Sequence, residues 1–355
     1  MHTILITGGA GFVGTNLAIS LKTKYPSYKV ICMDNLKRRG SELNLLRLKE
    51  KEVQFIHGDI RNKGDFAQIT YPLSCVIDAA AEPSVLAGMD GDTDYLIETN
   101  LNGTINALNF ALQNKASFIF LSTSRVYPIK TIETIEVLET PTRFEINGDQ
   151  KVLGVTQSGI NEEFPLKGSR SLYGATKLAS ELMVEEYNTT FGLNTVVNRC
   201  GVLTGPYQMG KVDQGVVVLW MAKHFWNQNL AYIGYGGMGK QVRDILHVKD
   251  LFTLVDLQIH QPEKFNGEVF NVGGSRNVSA SLCELTKICE EITGNKINID
   301  SIPENRKADI RIYLSDNSKI NNLTQWSPQI SVNEIMEDIF TWIKQNERQL
   351  KPILS

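Results

Sequence analysis

The chain has 355 residues, of which 42% are hydrophobic and 21% charged, and its formal net charge is −3. A chain of this length buries a sizeable core and points to two lobes or one large α/β unit. The slightly acidic balance excludes the basic surface that a nucleic-acid partner or an anionic membrane would require.

The opening "MHTILITGGAGFVG" has no charged leading region, and glycines interrupt its apolar stretch, so no secretory signal is expected. No apolar run reaches the ~18 residues of a membrane span. "TILIT" (3–7) predicts a strand, followed by a glycine-rich turn and a helix over 13–25. Further strands are predicted at "KVICMD" (29–34), "VQFIHGD" (53–59), "CVIDAAA" (75–81), "SFIFLSTS" (117–124) and "NTVVNRC" (194–200), with a helix over 100–114. These runs are β-branched and continuous rather than alternating, as in a parallel sheet covered on both faces. The alternation of strand and helix predicts an α/β fold with a doubly wound parallel sheet of the Rossmann type.

Segment 128–170 reads as a long irregular insertion. After residue 200 the pattern becomes mixed. Turns such as "GYGGMGK" precede predicted helices at 278–293, closed by Gly294, and at 332–348. This region is expected to form a smaller mixed α/β C-terminal lobe over the carboxyl edge of the sheet. The expected division is 1–200 for dinucleotide binding, with some later segments returning to it, and 201–355 mainly for substrate. The cysteines (Cys32, Cys75, Cys200, Cys283 and Cys289) are odd in number and mostly lie in apolar runs, which predicts buried thiols in a reducing cytoplasm. Cys283 and Cys289 lack CxxC spacing and histidine companions, so no metal site is expected.

Gly8, Gly11 and Gly14 lie between a strand and a helix. Glycines there permit a tight turn and close approach of backbone to a pyrophosphate at the helix N-terminus. Phe12 and Val13 open that helix. Asp34 ends the second strand about 20 residues on, where an acid accepts bonds from ribose hydroxyls and repels a 2′-phosphate. NAD is therefore the expected cofactor, although Lys37, Arg38 and Arg39 follow closely and arginine accommodates that phosphate in NADP. Further candidate cofactor contacts are Asn35 after the second strand, Asp59 and Ile60 at the end of the third, and Ala79 and Ala80 in the fourth run. Asp59 reads equally well as a helix-capping loop aspartate.

In "SLYGATKLASE", Tyr173 and Lys177 are four residues apart and share one helix face. A phenol with a pKa near 10 is too weakly ionised to act as a base at neutral pH, and a neighbouring ammonium lowers that value. Thr123 in "FLSTSRVY" sits at a strand end on the same expected edge and offers a hydroxyl.

The glycine turn, "STSRVY" and "YGATK", together with Asn100 in "ETNLNGT", resemble the extended short-chain dehydrogenase/reductase family over nearly the whole chain. The resemblance implies that Tyr173 takes a proton from a sugar hydroxyl, tuned by Lys177, which also reaches the cofactor ribose. It makes Thr123 the hydroxyl partner and gives Asn100 a role in fixing the active-site strands. Hydride leaving for NAD and returning to the other face of the carbon gives epimerisation. Sugar dehydratases of the family carry Asp-Glu after this threonine. Here Ser124 and Arg125 follow it, and a guanidinium is no general base.

"NRCGVLTGPYQMGKVDQGVVVLW" (198–220) and "YIGYGGMGKQVRDILHVKDL" (232–251) resemble the members that epimerise a nucleotide-diphospho sugar at C2. Val202 stands where many members have asparagine. The implied substrate contacts are Ser124, Arg125, Lys211, Gln214, Arg243 and Arg306. The loop 210–214, including Val212 and Asp213, is expected to enclose nucleotide or phosphate. Arg243 and Arg306 read alternatively as surface ion-pair partners of Asp244 or Asp309. His247 is expected to be packed at a strand end. A dimer or tetramer is implied. A 4-epimerase, a 2-epimerase acting on another nucleotide sugar, and a non-catalytic dinucleotide-binding protein remain as alternatives.

Overall fold

The computed structural model describes residues 2–89, 91–148, 150–211 and 214–354. The chain divides into two compact units. The first comprises Met1–Val126, Leu172–Arg199 and Leu251–Val269. It holds most of a parallel seven-stranded sheet of β1 (Thr3–Thr7), β2 (Lys29–Asp34), β3 (Gln54–His57), β4 (Cys75–Asp78), β5 (Ser117–Thr123), β6 (Thr195–Cys200) and β7 (Glu268–Val272), the last of which only begins within this unit. The spatial order is β7-β6-β5-β4-β1-β2-β3. Chain direction across the sheet therefore reverses between β1 and β4, the switch point at which α/β folds open a crevice for ligands. Leu5, Ile31, Val76 and Phe118, one from each of four neighbouring strands, meet in the same buried cluster. Their continuous apolar runs follow from a sheet covered on both faces.

Two strands end two or more residues earlier than the sequence predicts. The 53–59 run stops at His57 and the 75–81 run at Asp78. In each case a carboxylate draws a backbone amide out of the ladder. Asp59 N–H donates to Asp65 Oδ2 at 2.7 Å, and Ala80 N–H donates to Asp78 Oδ1 at 3.3 Å. The residues released form the loops at the carboxyl edge.

Three helices of this unit matter for the site: α1 (Phe12–Lys24), α2 (Gly103–Asn114) and α3 (Leu172–Phe191). The predicted helix over 100–114 starts later as α-helix because Glu98–Asn102 forms a π-turn. The wide turn frees the Asn100 carbonyl, which accepts from Ser180 Oγ on α3 at 2.7 Å. Single π-turns of this kind occur frequently at functional sites.

The second unit comprises Tyr127–Ser171, Cys200–Asp250 and Phe270–Ser355. Segment 127–171 belongs to it and is not wholly irregular, since it contains the antiparallel hairpin Val137–Glu139 with Phe144–Ile146. Val242–His247 is the hub of a small sheet. It pairs parallel to Val202–Thr204 and Ile312–Tyr313 and antiparallel to Ser279–Ser281. The predicted helix over 278–293 is therefore a short strand followed by a helix, Leu282–Thr293. Ser281 and Glu284 form a reciprocal capping box that sets the boundary. Gly294, with φ +73°, ends the helix as expected. The last predicted helix, 332–348, stops at Gln345, and a separate helix, Glu347–Leu354, follows. No helix among the described residues is long and apolar enough to cross a membrane.

Two buried groups in this unit oppose each other as pH changes. Burial, with a smaller contribution from Lys249, holds the His247 imidazole down at about 4, against an ordinary value of 6.5. The unfolded chain protonates this histidine first, so its contribution to stability is present above pH 6.5 and is lost on acidification. Between pH 7 and 5 the loss is about 2 kcal/mol. Burial pushes the Asp244 carboxyl up to about 6, from 3.8. Its contribution is greatest at low pH and is lost as pH rises through that value, a change of about 1.4 kcal/mol over the same interval. The two nearly cancel in the parent protein. Denaturant unfolding at pH 7 and pH 5 should therefore show a steeper acid loss in Asp244→Asn and a shallower one in His247→Gln than in the parent.

Candidate active site

Between β1 and α1 the chain makes a tight glycine turn. Gly8 has φ +63°, a conformation that side chains disfavour, and Gly11 N–H donates to the Gly8 carbonyl at 3.0 Å. A Cβ at Gly8 would lie 2.8 Å from the Ala79 carbonyl oxygen, so the loops after β1 and β4 touch across the switch point. A Cβ at Gly14 would run into the Gly8 carbonyl. Gly14 thus lets α1 pack onto the turn. Gly11 is the N-cap of α1, with no side-chain cap and no acid in the first turn. The backbone N–H groups around Phe12 and Val13 and the positive helix end form an anion-binding arrangement of the kind that holds a pyrophosphate.

Asp34 closes β2 beside this turn. Its Oδ2 accepts from Ala10 N–H at 3.1 Å and its Oδ1 from Leu36 N–H at 2.7 Å. Burial nevertheless raises its carboxyl above the usual range. The basic residues nearby have partners of their own. Lys37 Nζ lies 3.0 Å from the centre of the Tyr95 ring, and the Arg61 guanidinium 4.8 Å from it. Arg61 also grips Asp59, Nε to Oδ1 at 2.9 Å and Nη2 to Oδ2 at 2.7 Å, and Asn35 Nδ2 donates to Oδ2 at 2.9 Å. Hydrogen bonding by Arg61 holds the Asp59 carboxyl well below the usual range. Asp59 therefore already receives donors on both oxygens, and neighbouring Ile60 is buried.

At the end of β4, Asp78 is fully buried and accepts from Thr7 Oγ1 at 2.6 Å and Thr104 Oγ1 at 2.8 Å. It ties the ends of β1 and β4 to α2, immediately before Ala79 and Ala80. Asn100, also fully buried, accepts from Glu82 N–H at 2.8 Å through Oδ1 and donates to Thr176 Oγ1 at 3.3 Å through Nδ2. It thus fastens the loop after β4 to α3.

On α3, Tyr173 is 9% exposed and Lys177 1%. Lys177 Nζ lies 3.9 Å from the centre of the Phe120 ring on β5. Water is largely excluded from this ammonium, so its field acts at low dielectric. Thr123, 8% exposed at the end of β5, accepts from Arg125 N–H at 3.2 Å through Oγ1. Ser124 and Arg125 follow in a short 3-10 turn and are half-buried. All the expected dinucleotide and catalytic residues therefore lie in the first unit.

The remaining expected residues lie in the second unit. Arg243 Nη2 donates to Asp309 Oδ1 at 2.8 Å and to the Ile310 carbonyl at 2.6 Å. Asp309 N–H in turn donates to the Arg306 carbonyl at 3.4 Å, so Arg243 is tied to the loop that carries Arg306. Lys211 and Gln214 pair through their backbones, Lys211 N–H to the Gln214 carbonyl at 2.6 Å, just before the helix Val216–Phe225. Val212 and Asp213 lie outside the described residues. His247 is fully buried at the end of its strand.

The sequence reading missed Asp78, Tyr95, Arg61 and a buried group formed by Ser122, Glu181 and Arg199. Only Glu181 left a signal, as the next residue at four-residue spacing after Lys177.

The family model described as "NAD dependent epimerase/dehydratase family" matches residues 4–273. CDP-paratose 2-epimerase of Salmonella typhi is 32% identical over 96% of this chain and 98% of its own length. Among solved structures, dTDP-glucose 4,6-dehydratase of Bacillus anthracis in complex with NAD has a TM-score of 0.78 at 25% identity, covering 99% of this chain and 100% of that one. UDP-glucuronic acid 4-epimerase of Bacillus cereus, in complex with UDP-glucuronic acid and NAD, has a TM-score of 0.78 at 25% identity, covering 97% and 99%.

Gly14→Ala tests the fit of the turn. The added methyl meets backbone, which cannot give way cheaply, so a destabilisation of about 1–3 kcal/mol is expected. It should be accompanied by loss of bound dinucleotide, read from the nucleotide released on denaturation.

Proposed function

The chain belongs to the NAD dependent epimerase/dehydratase family and its cofactor is NAD; from that premise we propose that it inverts C2 of a nucleotide-diphospho deoxyhexose, interconverting CDP-paratose and CDP-tyvelose for a surface polysaccharide. The observation that carries this reading is the 32% identity to a CDP-paratose 2-epimerase along almost the full length of both chains. The dehydratase among the solved relatives is the competing chemistry. Ser124 and Arg125 favour epimerisation over it, because neither side chain serves as the acid–base pair that elimination of water requires.

NAD, when bound, would supply reversible hydride acceptance at the alcohol carbon. The residues of the chain handle the proton and the positioning. Tyr173 takes the hydroxyl proton as a phenolate, stabilised by the buried ammonium of Lys177. Thr123 shares that proton through its hydroxyl. The turn at Gly8–Gly14 would hold the pyrophosphate, and Asp34 would accept from the adenosine ribose. Because the 2-keto sugar must present its other face while the nucleotide stays put, an anchor distant from the reacting carbon is needed. Arg243 and Arg306 supply two planar, permanently charged groups for a diphosphate, and Lys211 and Gln214 are further contacts that the resemblance implies.

We assign the protein to the reducing cytoplasm, which suits its five cysteine thiols, four of them buried. We also assign it a homo-oligomeric state. This rests on the family resemblance, which implies a dimer or tetramer. The second reading, a 4-epimerase, draws on the UDP-glucuronic acid 4-epimerase likeness.

NMR of the C2 and C4 protons during incubation with CDP-, UDP-, GDP- and dTDP-hexoses separates the two. Inversion at C2 of a CDP-deoxyhexose is expected, and inversion at C4 alone would overturn the assignment. Tyr173→Phe should lose turnover by roughly 10²–10⁴-fold while retaining bound NAD. Turnover near the parent rate would remove Tyr173 as the base.

A further inference from the structure

Tyr173, Lys177 and Glu181 follow one another at four-residue intervals on α3 and are all buried. They form one stripe carrying a phenol, an ammonium and a carboxylate. A lysine and a glutamate at this spacing attract each other. Attraction toward Glu181 would draw the field of Lys177 away from Tyr173, one turn in the opposite direction.

The Glu181 carboxylate is engaged from the sheet. Arg199 on β6 donates to Oε2 through Nε at 3.0 Å and through Nη2 at 2.8 Å. Ser122 on β5 donates its hydroxyl to Oε1 at 2.5 Å. The two charged side chains are only 7% and 5% exposed, so their mutual neutralisation is little screened by solvent. A guanidinium held side-on and bidentate is the geometry that best satisfies a buried carboxylate.

We propose that Arg199 is a positioning residue for the proton-transfer step: by neutralising Glu181 from the sheet side, it leaves the charge of Lys177 directed at Tyr173. This role rests on Tyr173 being the base. Ser122 immediately precedes Thr123, so the same cluster also fixes the end of β5 against α3.

The test uses the full-length, NAD-loaded protein and compares parent, Arg199→Gln, Glu181→Gln, the double variant and Tyr173→Phe. In Arg199→Gln the unneutralised carboxylate should move the acidic limb of the kcat/KM–pH profile upward by roughly one pH unit, with KM and NAD content unchanged. Glu181→Gln, which leaves the arginine charge in place, should move it downward. The double variant should return it to the parent position. The tyrosinate band in ultraviolet difference spectra, assigned by subtraction of Tyr173→Phe, should shift in parallel.

A limb that stays in place in a folded, NAD-loaded Arg199→Gln protein would overturn the role. So would a double variant displaced as far as Arg199→Gln, because lost packing would then be the cause. Should Arg199→Gln fail to fold, Glu181→Gln decides by the sign of its shift, and no shift or an upward one overturns the role. Tyr173→Phe separates the two levels. If it turns over, the base assignment fails. If it is inactive while the other limbs stay in place, only the role of Arg199 fails.

Discussion

Burial of the Lys177 ammonium is the constraint around which the first unit is organised. Removing a charge from water costs several kcal/mol unless its surroundings compensate. The compensation here is specific. The ring of Phe120 lies beneath the ammonium, and the phenol of Tyr173 stands one helical turn away. A phenolate gains most from a cation that water does not screen. The same burial that makes the lysine costly would strengthen its field at Tyr173.

That constraint extends outward along α3. Beyond Lys177, the carboxylate of Glu181 meets Arg199 and Ser122. On the adjoining turns, Thr176 and Ser180 are bound by Asn100, whose π-turn also holds the loop after β4. Asp78 joins that region to the ends of β1 and β4. Buried polar networks of this sort rigidify a site when every member is satisfied. The catalytic candidates are therefore mounted on a helix and a strand end, while the dinucleotide candidates sit on loops whose geometry is fixed by glycines and carboxylates.

In the second unit, Arg243 is paired with Asp309 and bonded to the Ile310 carbonyl. A guanidinium held this way is oriented, and Arg has more donors than one carboxylate consumes. Asp309 belongs to the same short loop as Arg306, so the pair fixes where that loop sits as well as the arginine. The ion pair that serves as the bland explanation of Arg243 is thus compatible with anchoring a diphosphate, since one role orients the group and the other uses its remaining donors.

Much of this was legible in the residues. Continuous β-branched runs, a glycine turn with an acid about 20 residues on, and Tyr173 four residues before Lys177 are local patterns. Their physical basis is the period of a strand or a helix, so the sequence by itself determined the doubly wound sheet, the dinucleotide turn and the phenol–ammonium pair. Strand ends, by contrast, depended on Asp65 and Asp78 capturing amides at the edge. The start of the helix at Leu282 depended on a capping box whose serine also ends a strand. Asp78, Arg61 with Tyr95, and the Ser122–Glu181–Arg199 cluster join residues 18 to 71 positions apart in the chain. Only the tertiary structure decided these partnerships, because a side chain's partner across a sheet is set by strand order and packing, and neither leaves a period in the sequence.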